Sequence, residues 1–170
     1  MTVETLRAHR RALSAAAALA CVLMLCYALF LQYHRGLTPC PLCIFQRIAV
    51  FALAVAFGFA ALVPGGARTL RFVASGLIFL TAAASAGVSA RHLYIQSLPP
   101  GEVPVCGAGL DYMWEVFPAM QVLRKVLTGS GECAKIDWTL FGLSMPGWVL
   151  ICVVLLGAFG LLLNWPARRR

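Results

Sequence analysis

The chain has 170 residues, of which 61% are hydrophobic and only 12% are charged. So few charges cannot cover a soluble globule of this length, and an apolar-rich chain is not a disordered one. A small membrane protein remains, and its formal charge of +8 comes from basic residues dispersed among apolar runs, where a nucleic-acid-binding protein would gather them on one soluble face.

Four stretches are long and apolar enough to cross a bilayer, for which about 20 residues are needed. They cover about 12–31, 44–63, 72–90 and 143–163. Backbone groups in lipid must satisfy one another, so each stretch is expected to be a helix. The fold class that follows is an all-α membrane protein, a four-helix bundle forming a single domain over 1–170. The first stretch carries no charge. It is longer than the core of a signal peptide, about 7–15 residues, and is therefore expected to be retained.

Direction follows from the basic residues. The segments 1–11, 64–71 and 164–170 fall on one side of a four-span chain and hold eight basic residues and one acidic residue. The opposite side holds six basic and five acidic residues. The positive-inside rule then makes both termini cytoplasmic and turns the loops at about 32–43 and 91–142 outward.

Seven cysteines are present. Cys21, Cys26 and Cys152 lie inside spans, where a free cysteine is expected to act as a small hydrophobe. Cys40 and Cys43 lie in the first outward loop, Cys106 and Cys133 in the second. An oxidising exterior compartment allows disulfides in both.

Cys40-Pro41-Leu42-Cys43 is a Cys-x-x-Cys motif, a spacing shared by redox and zinc sites. Ile44 stands where c-type haem attachment would need histidine. Pro39 and Pro41 restrict the chain just before the second span, which places Cys43 at the N-terminus of that helix. Unpaired N–H groups and the helix dipole favour an anion there, so a thiolate at this position is stabilised and reactive. Arg47 is four residues on and shares the helix face of Cys43. It either stabilises negative charge at Cys43 or on a reduced ligand, or snorkels to lipid headgroups.

Cys106 and Cys133 bracket much of the second outward loop in turn-like surroundings. Their spacing fits a disulfide-closed loop, either a structural staple or a redox pair. It is too wide for the usual zinc pairs, so no metal is expected. Between them Leu110, Met113, Trp114 and Phe117 recur at helical spacing, and Pro118 breaks or kinks the run. A short amphipathic helix is expected, lying on the membrane surface or capping the bundle. His92, beside Arg91 at the outer end of the third span, either hydrogen-bonds a carbonyl ligand or is an ordinary interfacial residue.

Taken together, these elements resemble the DsbB family, disulfide bond formation protein B of bacterial inner membranes. The resemblance rests on the stretch from Pro39 to Arg47, on Gly129-Ser130-Gly131-Glu132-Cys133, on Trp138 through Trp148, and on the order of spans and loops. It implies a thiol oxidase that reoxidises DsbA, a soluble thioredoxin-like oxidant of the periplasm, and passes the electrons to a membrane quinone, ubiquinone or menaquinone. Carried over, Cys106 forms the mixed disulfide with DsbA, Cys133 is its partner and attacks Cys40, and Cys43 is left as a thiolate facing the quinone. Arg47 and His92 fall at the family's quinone site. The Pro-Leu dipeptide between Cys40 and Cys43 departs from the usual family motif and bears on that pair's reduction potential. The competing reading is a membrane scaffold whose two outer disulfides only staple loops. A reductase passing electrons outward would need an inward cysteine pair, and the three inward segments contain none.

Overall fold

In a computed structural model of the chain, residues 9–99, 102, 110–129 and 131–165 are described, without the side chains of Leu110, Asp111 and Trp114. Four long helices dominate: α1 (Arg10–Arg35), α2 (Pro41–Leu62), α3 (Arg68–Gln96) and α7 (Met145–Asn164). Between α3 and α7 lie α4 (Leu110–Val116), α5 (Ala119–Thr128), the single turn α6 (Gly131–Ala134), and strands β1 (Thr139–Leu140) and β2 (Leu143–Ser144). All four long helices are long and apolar enough to span a membrane. Leu23, Phe51, Phe79, Leu80 and Leu155 are exposed on their outer faces. A soluble monomer does not expose apolar surface on this scale, and a bilayer covers it. The chain is a multi-pass membrane protein.

α1 and α3 run past the expected spans at both ends, whereas α7 starts two residues later than expected because Leu143 and Ser144 form β2. α3 has 29 residues, about 44 Å at 1.5 Å per residue, against a hydrocarbon core of about 30 Å. Hydropathy marks only the lipid-buried part, whereas helical hydrogen bonding continues into the interface. α2 starts earlier than expected, because Pro41 serves as its first-turn proline and Cys40 as its N-cap.

In the bundle α1 packs along α2, α2 along α3, and α3 along α7, with a lighter α1–α7 contact closing the ring. The core between them includes Cys21, Leu53, Phe57, Ile78 and Val153. Gly157 and Gly160 let α7 come close to α3 and α2. A Cβ at Gly160 would lie 2.6 Å from the Phe57 ring and 2.9 Å from Ile78.

At the α1 N-terminal end a buried cation closes the bundle. Arg10 donates to the Ala60 and Val63 carbonyls at the end of α2 and to Asn164 Oδ1. A guanidinium there answers unpaired helix carbonyls and the negative end of the dipole. Arg10 therefore has a packing role beyond its contribution to the charge pattern.

The opposite end carries a second core of Cys40, Leu42, Ile95, Met113, Val122, Val126 and Cys133. The expected single amphipathic helix is two. Pro118 becomes the N-cap of α5, because proline is tolerated at a helix start and not inside it. α5 buries Val122 and Val126 and exposes Met120, so the stronger amphipathic element lies after the apolar run that signalled it. A hairpin absent from the sequence expectations leads into α7. Thr139 pairs with Ser144 and Leu140 with Leu143. Its two turn residues, Phe141 and Gly142, have φ of 51° and 78°, as a two-residue type I′ turn requires. Trp148 Nε1 donates to the Leu140 carbonyl and ties the hairpin to the first turn of α7.

Candidate active site

Cys40, as N-cap of α2, has an extended backbone and a side chain turned back over the first turn. Its Sγ accepts from the Cys43 N–H at 3.2 Å, meeting one of the unpaired donors of that turn. The same turn sets the Cys40 and Cys43 sulfurs 2.8 Å apart. Helix capping and sulfur pairing thus share one piece of geometry.

A third sulfur comes from α6. Cys133 is fully buried, and its thiol hydrogen-bonds Cys40. That contact, the one from Cys43, and burial together push the Cys40 pKa well above the ordinary thiol value. In the reduced site Cys40 therefore holds its proton. It is the middle member of a row in which both neighbours reach the same sulfur.

His92 on α3 adjoins this row and is 2% exposed. Its Nε2 lies 3.1 Å from the Cys133 carbonyl oxygen and 3.8 Å from Cys40 Sγ. Donation of Nε2–H to the carbonyl leaves Nδ1 with a bare lone pair, and Nδ1 is buried without a hydrogen-bond partner among the described residues. The donor atoms of Cys40, Cys43 and His92 all fall within 4.8 Å of one another. Thiolates around tetrahedral zinc stand about 3.8 Å apart, from Zn–S bonds of about 2.3 Å. The Cys40–Cys43 separation is shorter, and His92 Nε2 is already engaged. The arrangement suits sulfur–sulfur exchange better than a shared cation.

Arg47 lies one turn below Cys43. Its guanidinium donates to Gln32 Oε1 and, at 3.2 Å, to the Ala28 carbonyl, both on α1. It is turned inward to a neighbouring helix, not outward to headgroups. Gln32 was not singled out from the sequence, and no spacing signal marks it, since its partner lies 15 residues away across a loop. On the next helical face Gln46 donates to Ser89 Oγ on α3 at 2.8 Å, which fixes α2 against α3 at this depth.

A cavity of about 120 Å³ opens beside these groups. Cys40, Cys43, Arg47 and His92 line it together with apolar Met24, Leu25, Leu31, Val50 and Val149. Glu132, Lys135 and Asp137 also border it. It joins a sulfur pair, a cation and an apolar wall within the end of the bundle.

The structure therefore gathers Cys40, Cys43, Cys133, Arg47 and His92 in one place. Cys106 lies outside the described residues. Of the three span cysteines, Cys21 is buried in the core and Cys152 half-buried, whereas Cys26 is exposed on the outer face of the bundle. Packing accounts for Cys21 and not for Cys26, whose position on α1 faces away from the other helices.

The sequence profile of disulfide bond formation protein DsbB matches residues 10–163. A disulfide bond formation protein B of Methylococcus capsulatus is 49% identical over 149 residues, covering 88% of this chain and 90% of the relative. One from Chromohalobacter salexigens is 50% identical over 154 residues, covering 89% and 90%. One from Xylella fastidiosa is 44% identical over 150 residues, covering 88% and 87%.

Proposed function

The chain belongs to the DsbB family of disulfide bond formation proteins, and from that premise we propose that it reoxidises a DsbA-like periplasmic thiol oxidant and passes the electrons to membrane quinone. The family carries a role in disulfide bond formation as a thiol oxidase. The finer reading, including partner and acceptor, rests on the site. The observation that carries it is the row of three sulfurs, Cys133 on Cys40 and Cys40 on Cys43, beside a cavity that Arg47 lines.

The relay uses four cysteines. A thiolate of the reduced partner attacks Cys106 in a Cys106–Cys133 disulfide, and a mixed disulfide forms. The partner's second thiolate then attacks its own sulfur in that bond and leaves oxidised, and the electron pair remains on Cys106 and Cys133. Cys133 attacks Cys40 in the Cys40–Cys43 disulfide, which releases Cys43 as a thiolate. Cys106 then closes on Cys133 and frees Cys40. Each step exchanges one S–S bond for another. The helix N-terminus supports negative charge at Cys43, and Arg47 adds a cation one turn below.

The cavity fits a quinone head group, because its walls are largely apolar while Arg47 and His92 offer polar contacts, His92 with an unpartnered Nδ1. Cys43, Arg47 and His92 would hold the ring, and when bound it supplies the two-electron acceptor. Arg47 orients and neutralises charge, and His92 keeps the Cys133 segment seated. The distribution of basic residues supports the bacterial inner membrane with both termini cytoplasmic, which turns the sulfur row to the periplasm.

A stoichiometry experiment tests this reading. Oxidised protein in nanodiscs without quinone, mixed anaerobically with excess reduced DsbA-type protein, is expected to oxidise at most two dithiols per chain. Adding a ubiquinone analogue is expected to make the reaction catalytic. A scaffold with purely structural disulfides would oxidise none in either condition.

A further inference from the structure

The outer end of α3 does more than carry His92. Arg91 donates through Nε to the Leu127 carbonyl at 2.8 Å and through Nη2 to the Thr128 carbonyl at 3.0 Å. These are carbonyls of the last turn of α5, which has no following turn to bond them, and a cation there also meets the negative end of the helix dipole. The Arg91 guanidinium lies over the Tyr94 ring, 5.1 Å from its centroid, which steadies it from its own helix. One turn on, Ile95 is fully buried and fills the space under Gly129. Gly129 has φ +85°, and a Cβ there would run into the Ile95 side chain. Only glycine allows the chain to leave α5 in this direction and this close. Four residues later the chain reaches Cys133, whose carbonyl meets His92.

We propose that Arg91 is a positioning residue for the internal disulfide exchange: by gripping the end of α5, with Ile95 seated under Gly129, it holds Cys133 against Cys40. This deepens the relay described above and rests on it. In the step concerned, the Cys133 thiolate attacks Cys40 Sγ, the Cys40–Cys133 bond forms, and the Cys40–Cys43 bond breaks. Cys43 leaves with the electron pair, and no further oxidant is needed. Sulfur exchange requires in-line approach at contact distance, so its rate falls with the share of time Cys133 spends docked. Arg91 touches none of the three sulfurs in its described contacts. It therefore leaves the partner-facing step and the quinone-facing step alone.

The test uses the full chain in nanodiscs with Arg91→Ala, Arg91→Lys and Gly129→Ala beside the parent. Quinone reduction is driven either by a reduced DsbA-type protein or by dithiothreitol, a small dithiol that attacks the Cys40–Cys43 bond without the loop pair. Arg91→Ala is expected to lower the partner-driven kcat about tenfold or more, with the partner's KM and the dithiothreitol-driven rate near the parent's. Arg91→Lys should recover part of the loss, because one ammonium reaches one of the two carbonyls. Gly129→Ala should show the same split, because it displaces Ile95 from the same segment. Independently of turnover, mass spectrometry after one equivalent of reduced partner should find about tenfold fewer chains with a Cys40–Cys133 disulfide in Arg91→Ala. An equal fall of both rates, or an unchanged Cys40–Cys133 fraction, would overturn the positioning role while leaving the relay standing. A parent that never accepts electrons from the partner would overturn the relay and this role with it.

Discussion

Cys133→Ser is expected to abolish quinone reduction driven by a reduced DsbA-type protein, a loss of about 1,000-fold or more, as for removal of any essential nucleophile. The variant should nevertheless react once. Its Cys106 is left free in the resting protein, so a DsbA-type partner that lacks its second active-site cysteine and is activated as a mixed disulfide with a small thiol should capture it: the Cys106 thiolate attacks the partner's sulfur, the small thiol leaves, and no neighbouring thiol resolves the complex. Non-reducing electrophoresis would show that complex as a stable band, and mass spectrometry would assign it to Cys106. Cys133 is buried beside Cys40, and serine is smaller and cannot exchange disulfides, so the fold should persist. Steady turnover by Cys133→Ser would mean that electrons reach Cys40 by another route.

Arg47→Ala is expected to raise the KM for quinone about 10- to 100-fold. The figure corresponds to about 1.5–3 kcal/mol for a hydrogen bond to a charged group. Thiol exchange between partner and loop cysteines should be little changed, because Arg47 lies one turn below Cys43 and bonds to Gln32 and Ala28 of α1. Arg47→Lys should recover only part of the loss, since a single ammonium cannot bridge the positions that the planar guanidinium reaches. The measurement is a quinone titration at saturating reduced partner, with initial rates read from quinone absorbance. A KM unchanged from the parent's, with kcat intact, would assign Arg47 to the α1–α2 contact alone.

The four spans were legible because lipid imposes one simple demand, a long apolar helix, and α1, α2, α3 and α7 all meet it. The Cys40–Cys43 pair was legible for a related reason. Two prolines, a Cys-x-x-Cys and Arg47 fall within one turn or two, so local geometry decides their relation. The position of Cys133 against Cys40 was open from residue spacing alone, where it could equally have been a loop staple. Only the packing of Val122, Val126 and Ile95 in the second core brings α6 to α2. Gln32, the Arg91 grip and the hairpin at 139–144 were not legible. Each depends on a partner that folding supplies, and their local signals are faint: a polar residue near a span end, an arginine beside a histidine, and Gly142 after a phenylalanine. Pro118 was legible as a break in the helical run, and it separates α4 from α5; the second helix beyond it was not.

The most direct measurement of the central claim, one electron path from loop thiols to quinone, follows ubiquinone-analogue absorbance in nanodiscs supplied with a reduced DsbA-type protein. The parent, Cys43→Ser and Cys106→Ser are run side by side, with thermal unfolding of each as a check on folding. The account predicts catalytic quinone reduction by the parent and none by either variant, although the two substituted residues lie far apart in the sequence. Sustained reduction by either folded variant, or none by the parent while it keeps both disulfides, would contradict it.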